Sequence, residues 1–266
     1  MKAPPHRVFE SKFDKILRIS PPLGKVLAGL FGLFEYYILE ISRKIDKKFN
    51  TYTMGLVSKY FLKGRWGGRV VPLNKNINTE TKFIPSQEIL EILYRSNIAG
   101  IGWCYCRITQ RKYGNPNCDH PIHACIHLGY ARSLYDIPFK SYNLKKVSKQ
   151  EIKDLLEDCD NRGLIHQLIY FPNPQFYYVI CNCCPCCCVV LNKFLKSGSP
   201  QMIKSDFIAE TDHKRCKSCG TCEEICYFKA RTMNEGLLHF NQNRCFGCGI
   251  CVPKCPNHAI YLIKKP

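Results

Sequence analysis

The chain has 266 residues, 45% of them apolar, enough for one or two domains with a real core. Lysine and arginine number 39 against 21 acidic residues, a formal charge of +18, and cysteine reaches 19. An odd cysteine count, runs of adjacent cysteines and an N-terminus (MKAPPHRVFESKFDK) without an apolar core or a small-residue cleavage site argue against a secreted disulfide framework. The expectation is metal-bound thiolates in a reducing cytoplasm. No GxGxxG opens a βαβ unit, Gly24-Lys25 lacks the rest of a P-loop, and neither GxSxG nor HExxH occurs. Flavin, nicotinamide, nucleotide, serine-hydrolase and zincin sites are therefore not expected. The aromatic residues, 12% of the chain, fall in apolar runs and form no basic platform, so no nucleic-acid partner is expected.

Residues 1–75 lack cysteine and read as a basic helical segment, with 15 Lys/Arg against 5 Asp/Glu. Its most apolar stretch is LGKVLAGLFGLFEYYILEI, Leu23–Ile41. Lys25, Glu35 and Glu40 charge it and Gly24, Gly29 and Gly32 interrupt it, whereas a spanning helix wants about 20 nearly uncharged residues. A helix packed on the rest of the protein is expected, with an interfacial or partner-binding helix as the alternative. SRKIDKKF and a turn-like Gly64-Arg65-Trp66-Gly67-Gly68 close the segment. The basic excess is either a solvated surface or a docking face for an acidic redox partner or for peripheral contact with an anionic membrane.

Residues 76–203 form a cysteine-rich middle segment. Ser86, after Pro85, reads as the N-cap of a helix with Ile89, Leu90, Ile92 and Leu93 as its apolar stripe. IAGIGWCYC reads as a strand, on which Cys104 and Cys106 would point to opposite faces unless the backbone turns, and Gly100 and Gly102 offer such a turn. Cys118 and Cys125 follow among His120, His123 and His127. Ser148-Lys149-Gln150-Glu151 is a capping box and Gly163 the stop of the next helix. There Ile152, Leu155, Leu156 and Cys159 share a face, which makes Cys159 a buried core thiol. LIHQLIYF, a turn at Pro172-Asn173-Pro174 and FYYVI form a hairpin. It delivers ICNCCPCCCVV, with Cys181, Cys183, Cys184, Cys186, Cys187 and Cys188. His166 reads as a satisfied core or turn histidine; His120 and His123 are minor candidates for metal ligands.

Residues 204–266 contain a repeat. RCKSCGTCEEICYFKA and RCFGCGICVPKCPNHA match at an offset of 29 residues, from Cys216 to Cys245, and each copy is C-x2-C-x2-C-x3-C. Three thiolates at this spacing wrap one loop around a cluster, each reaching a different iron, while the fourth starts a helix that leads away to the other cluster. Zinc sites use two CxxC pairs instead.

The repeat resembles the bacterial-type ferredoxin domain with two [4Fe–4S] clusters. The resemblance implies a compact α+β pseudo-twofold with two short helices and small hairpins. It also implies Cys216, Cys219, Cys222 and Cys255 on one cluster, and Cys245, Cys248, Cys251 and Cys226 on the other. Tyr227 follows Cys226 where the motif has proline, as Pro256 follows Cys255; this loosens the turn without removing a ligand. Gly220, Gly247 and Gly249 would let backbone N–H groups approach the sulfurs.

From about residue 70 onward, the order CxCR (Cys104–Arg107), CDxP (Cys118–Pro121) and CNCC-x-CCC resembles ferredoxin-domain iron–sulfur proteins of anaerobic bacteria and archaea. That likeness implies cluster binding more than any reaction. The CCG motifs of disulfide-reducing subunits match less well, since Pro185 follows Cys183-Cys184. The ten middle thiols (Cys104, Cys106, Cys118, Cys125 and the six of the tract) allow two further cubanes, a larger non-cubane cluster, or zinc. The sequence thus predicts an α+β protein: a helical segment 1–75, a Cys-rich α+β domain 76–203 and a dicluster ferredoxin-like domain 204–266. Its expected role is cytoplasmic electron transfer, peripheral to a membrane at most. The alternative is a ferredoxin-fed reductase of a disulfide or similar substrate, and no catalytic residue is legible.

Overall fold

The computed structural model describes residues 20–49, 60, 63–73, 89, 98–113, 117–128, 143–170, 177–198 and 201–265. The Ser86 cap, Leu90, Ile92, Leu93 and the turn at Pro172–Pro174 lie outside these; Ile89 is described, helical and fully buried. The fold is α+β. In chain order it runs α1 (Pro21–Phe49), β1 (Gly67–Val70), β2 (Ile98–Trp103), α2 (Tyr105–Tyr113), β3 (His123–Leu128), α3 (Lys149–Asn161), β4 (Ile165–Tyr170) and β5 (Tyr177–Cys183). There follow α4 (Val189–Ser197), β6 (Met202–Ile203), β7 (Phe207–Thr211), α5 (Thr221–Glu224), β8 (Arg231–Asn234), β9 (Leu237–Phe240) and β10 (Ile260–Lys264).

A six-stranded sheet in the order β2-β3-β5-β4-β1-β6 occupies the middle of the chain. Its register sorts side chains by the strand period of two. Ile101, Ile126, Ile180 and Leu168 lie in one row across four strands. With Ile152 and Leu156 of α3 they form the main apolar core. The adjacent row, Gly102, Cys125, Cys181 and Gln167, faces the other way. One face of the sheet therefore carries the core and the other carries thiols.

α3 begins as the sequence reading has it. Ser148 Oγ accepts from Glu151 N at 3.2 Å and Glu151 Oε2 accepts from Ser148 N at 2.7 Å. Gly163, at φ 72°, follows its last turn. β4 and β5 pair antiparallel as the expected hairpin.

Two readings are corrected. Gly67–Val70, placed with the helical segment, is a strand that pairs with Tyr170–Gln167 about a hundred residues downstream. Its glycines permit this packing, because a Cβ on Gly67 would lie 2.2 Å from the Gln201 carbonyl oxygen. The IAGIGWCYC run is strand only to Trp103; Cys104 ends it and its carbonyl accepts from Arg107 and Ile108 as α2 starts. The turn occurs at Cys104 and not at the glycines.

α1 packs across α2 through Tyr36 and Tyr105, edge to face at 5.4 Å. Glu40 accepts from Lys112 Nζ at 2.8 Å and from Tyr113 OH at 2.6 Å, and Lys193 meets Asp46 at 3.0 Å. No helix among the described residues is long and apolar enough to cross a membrane.

At the C-terminal end β7 pairs with β10 and β8 with β9. The repeat is legible in the backbone: Ser218 and Gly247, Gly220 and Gly249, and Lys229 and His258 are all at positive φ, each pair 29 residues apart. The expected second short helix is replaced by turns at 250–254. There Pro253 stands where the first copy has Glu224 and supplies no backbone donor.

Candidate metal centres

Two small cavities lie at the C-terminal end. Cys216, Cys219, Cys222 and Cys255 line one, and Cys226, Cys245, Cys248 and Cys251 line the other. Each cavity thus takes three thiols from one copy of the repeat and the fourth from the other. Backbone N–H groups point at the sulfurs: Ala230 N lies 3.3 Å from Cys226 Sγ, Ala259 N 3.3 Å from Cys255 Sγ and Gly247 N 3.4 Å from Cys245 Sγ. The approach of Gly247 leaves no room for a side chain, since a Cβ there would sit 2.1 Å from the Phe207 carbonyl oxygen. Arg231 is buried, donates to Thr211 Oγ1 and the Ala209 carbonyl, and stacks on Phe240 at 4.6 Å. Its charge reaches Cys222 on one cavity and Cys251 on the other, countering the burial that raises both thiols. All-sulfur donor sets, N–H groups on the sulfurs and a shared buried cation fit anionic clusters held by thiolate.

The ten middle thiols fall into two groups. Cys104 touches Cys106 and Cys125; Cys125 touches Cys181, with sulfurs 3.7 Å apart; Cys181 touches Cys183. Cys183 meets Cys188 at 3.1 Å, and Cys188 meets Cys106, which closes a ring of six. Cross-strand pairing of Cys125 with Cys181, the i, i+2 spacing of Cys181 and Cys183, the turn at Cys104 and the position of Cys188 as N-cap of α4 build it. Contacts within the ring hold Cys104 well below the usual thiol range and push Cys106, Cys125 and Cys181 well above it.

In the second group, one ligand atom each of Cys118, His120, Cys184 and Cys186 lies within 4.8 Å of all the others. Cys187 Sγ is 3.5 Å from Cys186 Sγ. Contact with Cys187, and then the Arg107 charge, holds Cys184 down to about 4. Arg107 itself is fully buried between the groups, donating to the Pro121 and Asn182 carbonyls. Burial would lower it, but Cys104 and Cys184 hold it above its ordinary value.

The remaining candidates stand apart. Cys159 is fully buried beside Cys118, Cys184 and Cys187, and burial pushes it up to about 12. His166 Nδ1 meets Asn182 Oδ1 at 2.6 Å and its Nε2 faces Asp160 at 3.8 Å. His123 Nε2 meets Asn143 Nδ2 at 3.2 Å, and His127 is buried and pushed down to about 3 by burial.

All six ring cysteines line one cavity of about 60 Å³, which Trp66, Trp103, Tyr105 and Tyr178 wall on its aromatic side. Tyr178 is turned toward it where the β4–β5 register shifts. α1 supplies Glu35, which accepts from Tyr178 OH at 3.2 Å, and burial pushes its carboxyl up to about 7. Arg43 donates to the Cys187 carbonyl at 2.9 Å. Sequence reasoning passed over Glu35 and Arg43; the charge of Glu35 inside an apolar stretch was the one available signal.

Ring and C-terminal end are continuous. Cys183 and Cys188 share an apolar cluster with Phe228 and Phe246, against which Cys226, Tyr227 and Cys248 pack. Phe228 and Phe246 stack at 4.2 Å and Phe194 of α4 meets Phe246 at 4.7 Å. Tyr227, in the place of the motif's proline, is close enough for Cys184, Cys248 and Cys186 to hold its hydroxyl above the usual range, after burial.

Residues 238–261, containing the second cysteine quartet, match the family of the 4Fe-4S binding domain. The chain is similar to the uncharacterized ferredoxin MJ0265 of Methanocaldococcus jannaschii, 35% identical over 52 residues, 19% of this chain and 31% of that protein. It is also similar to the electron transport protein HydN of Escherichia coli strain K12, 34% identical over 53 residues, 19% of this chain and 30% of HydN. The chain thus spans about a third of the length of these relatives. No solved structure matches it.

Proposed function

We propose that this is an iron–sulfur electron-transfer protein. Two [4Fe–4S] clusters sit at its C-terminal end, on Cys216, Cys219, Cys222 and Cys255 and on Cys226, Cys245, Cys248 and Cys251. One or two further centres sit on the middle thiols. The observation that carries the reading is continuity: the second four-thiol cavity, the Phe228–Phe246 stack and the ring cysteines share one packed interior. Electrons can pass along such a line with little geometric change. The C-terminal 4Fe-4S likeness and the ferredoxin and electron-transport relatives support the chemistry at that end.

The residues present would hold each cubane by four thiolates, and each cubane would supply one-electron chemistry. The protein's part is to exclude water, neutralise charge through Arg231 and donate N–H groups to the sulfurs, which sets the potentials. A partner with an acidic docking face fits the basic excess of the N-terminal segment. The exposed apolar residues of α1, such as Leu30, Phe34 and Tyr37, would serve partner or peripheral membrane contact. Cytoplasmic residence is part of this proposal. Iron and sulfide measured on anaerobically purified chain should exceed the roughly eight of two cubanes. A colourless, iron-free preparation with intact thiols overturns the proposal.

The cavity that the ring cysteines line favours one second reading, a reductase fed by the ferredoxin end and acting on a disulfide or similar substrate. A carboxyl held near neutrality by burial is placed to move a proton there. An electron paramagnetic resonance signal that shifts on adding a small disulfide would support it; signals indifferent to any thiol or disulfide would remove it.

A further inference from the structure

We infer that nine of the ten middle cysteines form two separate metal centres of different kinds, with Cys187 packed against the second. The first is a polynuclear iron–sulfide centre bound by all six ring thiolates. The second is a compact single-ion site made by Cys118, His120, Cys184 and Cys186. The inference rests on the proposal that the middle thiols bind metal, and divides nine of them between two places the sequence left open.

Closure of the ring carries the first part. Each of its six sulfurs has two sulfur neighbours within the ring, and the ring closes without Cys118, Cys184, Cys186 or Cys187. A cubane takes four thiolates. Any choice of four here would leave two thiols unligated at the same cavity, with no break in the ring to mark which two. The only buried cation against this group is Arg107 among the described residues, far too little charge for six thiolates. Metal binding that deprotonates all six would therefore bring several metal ions with it, and sulfide-bridged iron supplies them compactly.

Distance carries the second part. A single tetrahedral ion with metal–sulfur bonds of about 2.3 Å holds its ligand atoms about 3.8 Å apart. Cubane thiolates each bind a different iron and stand wider. The 4.8 Å limit on Cys118, His120, Cys184 and Cys186 fits one ion; the ring, whose sulfurs also come within 3.1 and 3.7 Å of one another, differs in placing six thiols around one cavity, more than a single tetrahedral ion can bind. The chain delivers both sets from adjacent residues because β5 ends at Cys183: Cys183 stays on the thiol face, and the turn from Cys184 onward carries the next thiols towards Cys118 and α3.

The test uses the full chain purified anaerobically, with iron, zinc and sulfide counted per chain and Mössbauer spectra recorded. His120→Ala removes a ring that is one-fifth exposed and spares the core; it should lose about one metal ion per chain and no sulfide. Cys188→Ser keeps a good N-cap for α4 and should lose several irons with sulfide while the single ion stays. Cys104→Ser repeats that lesion from another element should the first variant misfold. Loss of about four sulfides in His120→Ala would make the second site a cubane and overturn the division. So would loss of the same metals from Cys118→Ser and Cys188→Ser, which would make one joint centre. Wild-type chain with only the roughly eight irons of the C-terminal end would instead remove metal from the middle altogether, a failure of the underlying proposal visible before any variant is made.

Discussion

At the C-terminus three of the four thiols around each cavity come from one seven-residue stretch, Cys216–Cys222 or Cys245–Cys251, and only the fourth crosses over. In the middle, the six ring thiols come from the β2–α2 junction, β3, β5 and the start of α4, spread from Cys104 to Cys188. The first arrangement is encoded by spacing and needs little beyond its own loop. The second exists only when the sheet has formed in register, since a slip of one residue would turn Cys125 or Cys181 into the apolar core. Thiols are thus gathered once by local sequence and once by long-range pairing, which is also the slower route to fold.

Lesions confined to one region test whether the two are separable. Gly247→Val should have the largest effect, about 4 kcal/mol, because strain at positive φ adds to displacement of the Phe207 carbonyl. Denaturant unfolding and iron content should show the C-terminal clusters lost while middle metal stays; joint loss would mean the regions fold as one. Leu156→Ala, in the core beneath the thiol-bearing sheet, should cost about 3 kcal/mol. It should strip middle metal first, leaving the C-terminal spectrum intact.

Ser148→Ala should cost about 1 kcal/mol through loss of the capping box, read as a shift in the urea midpoint of α3's region. The smallest effect belongs to Glu40→Gln, about 0.5 kcal/mol at neutral pH, since Lys112 is half exposed. Hydrogen bonds from Lys112 and Tyr113 hold the Glu40 carboxyl down to about 2 in the folded chain, against 4.5 ordinarily. Its contribution is therefore present above pH 4.5 and fades as pH falls from there towards 2. The gap between wild type and variant should close over that window, and a constant gap would remove the ion pair as its source.

What could be read from residues alone follows the same division. The Ser148 box, the Gly163 stop and the hairpin into the cysteine tract depend on neighbours a few positions away, and each stands where the spacing puts it. The strand at Gly67–Val70 reads as part of a helical segment because its partners lie about a hundred residues on. Cys104 and Cys106 read as alternating along one strand unless the backbone turns, and the helix start at Tyr105 supplies that turn and brings both to the same ring. Of the three nearby histidines, His120 is the one the fold brings to Cys118, Cys184 and Cys186. Nothing in its local sequence distinguishes it.

Tyr227 takes the position at which the repeat's own logic asks for proline, and its hydroxyl lies close enough to Gly163 that a Cβ added there would stand 3.3 Å away. That single exchange keys the C-terminal module to its neighbour: a generic dicluster module grafted onto this chain would arrive with a short rigid ring where a long phenol fills the seam. Together with Phe228 and Phe246 packed on Phe194, it ties the C-terminal end to this particular neighbour.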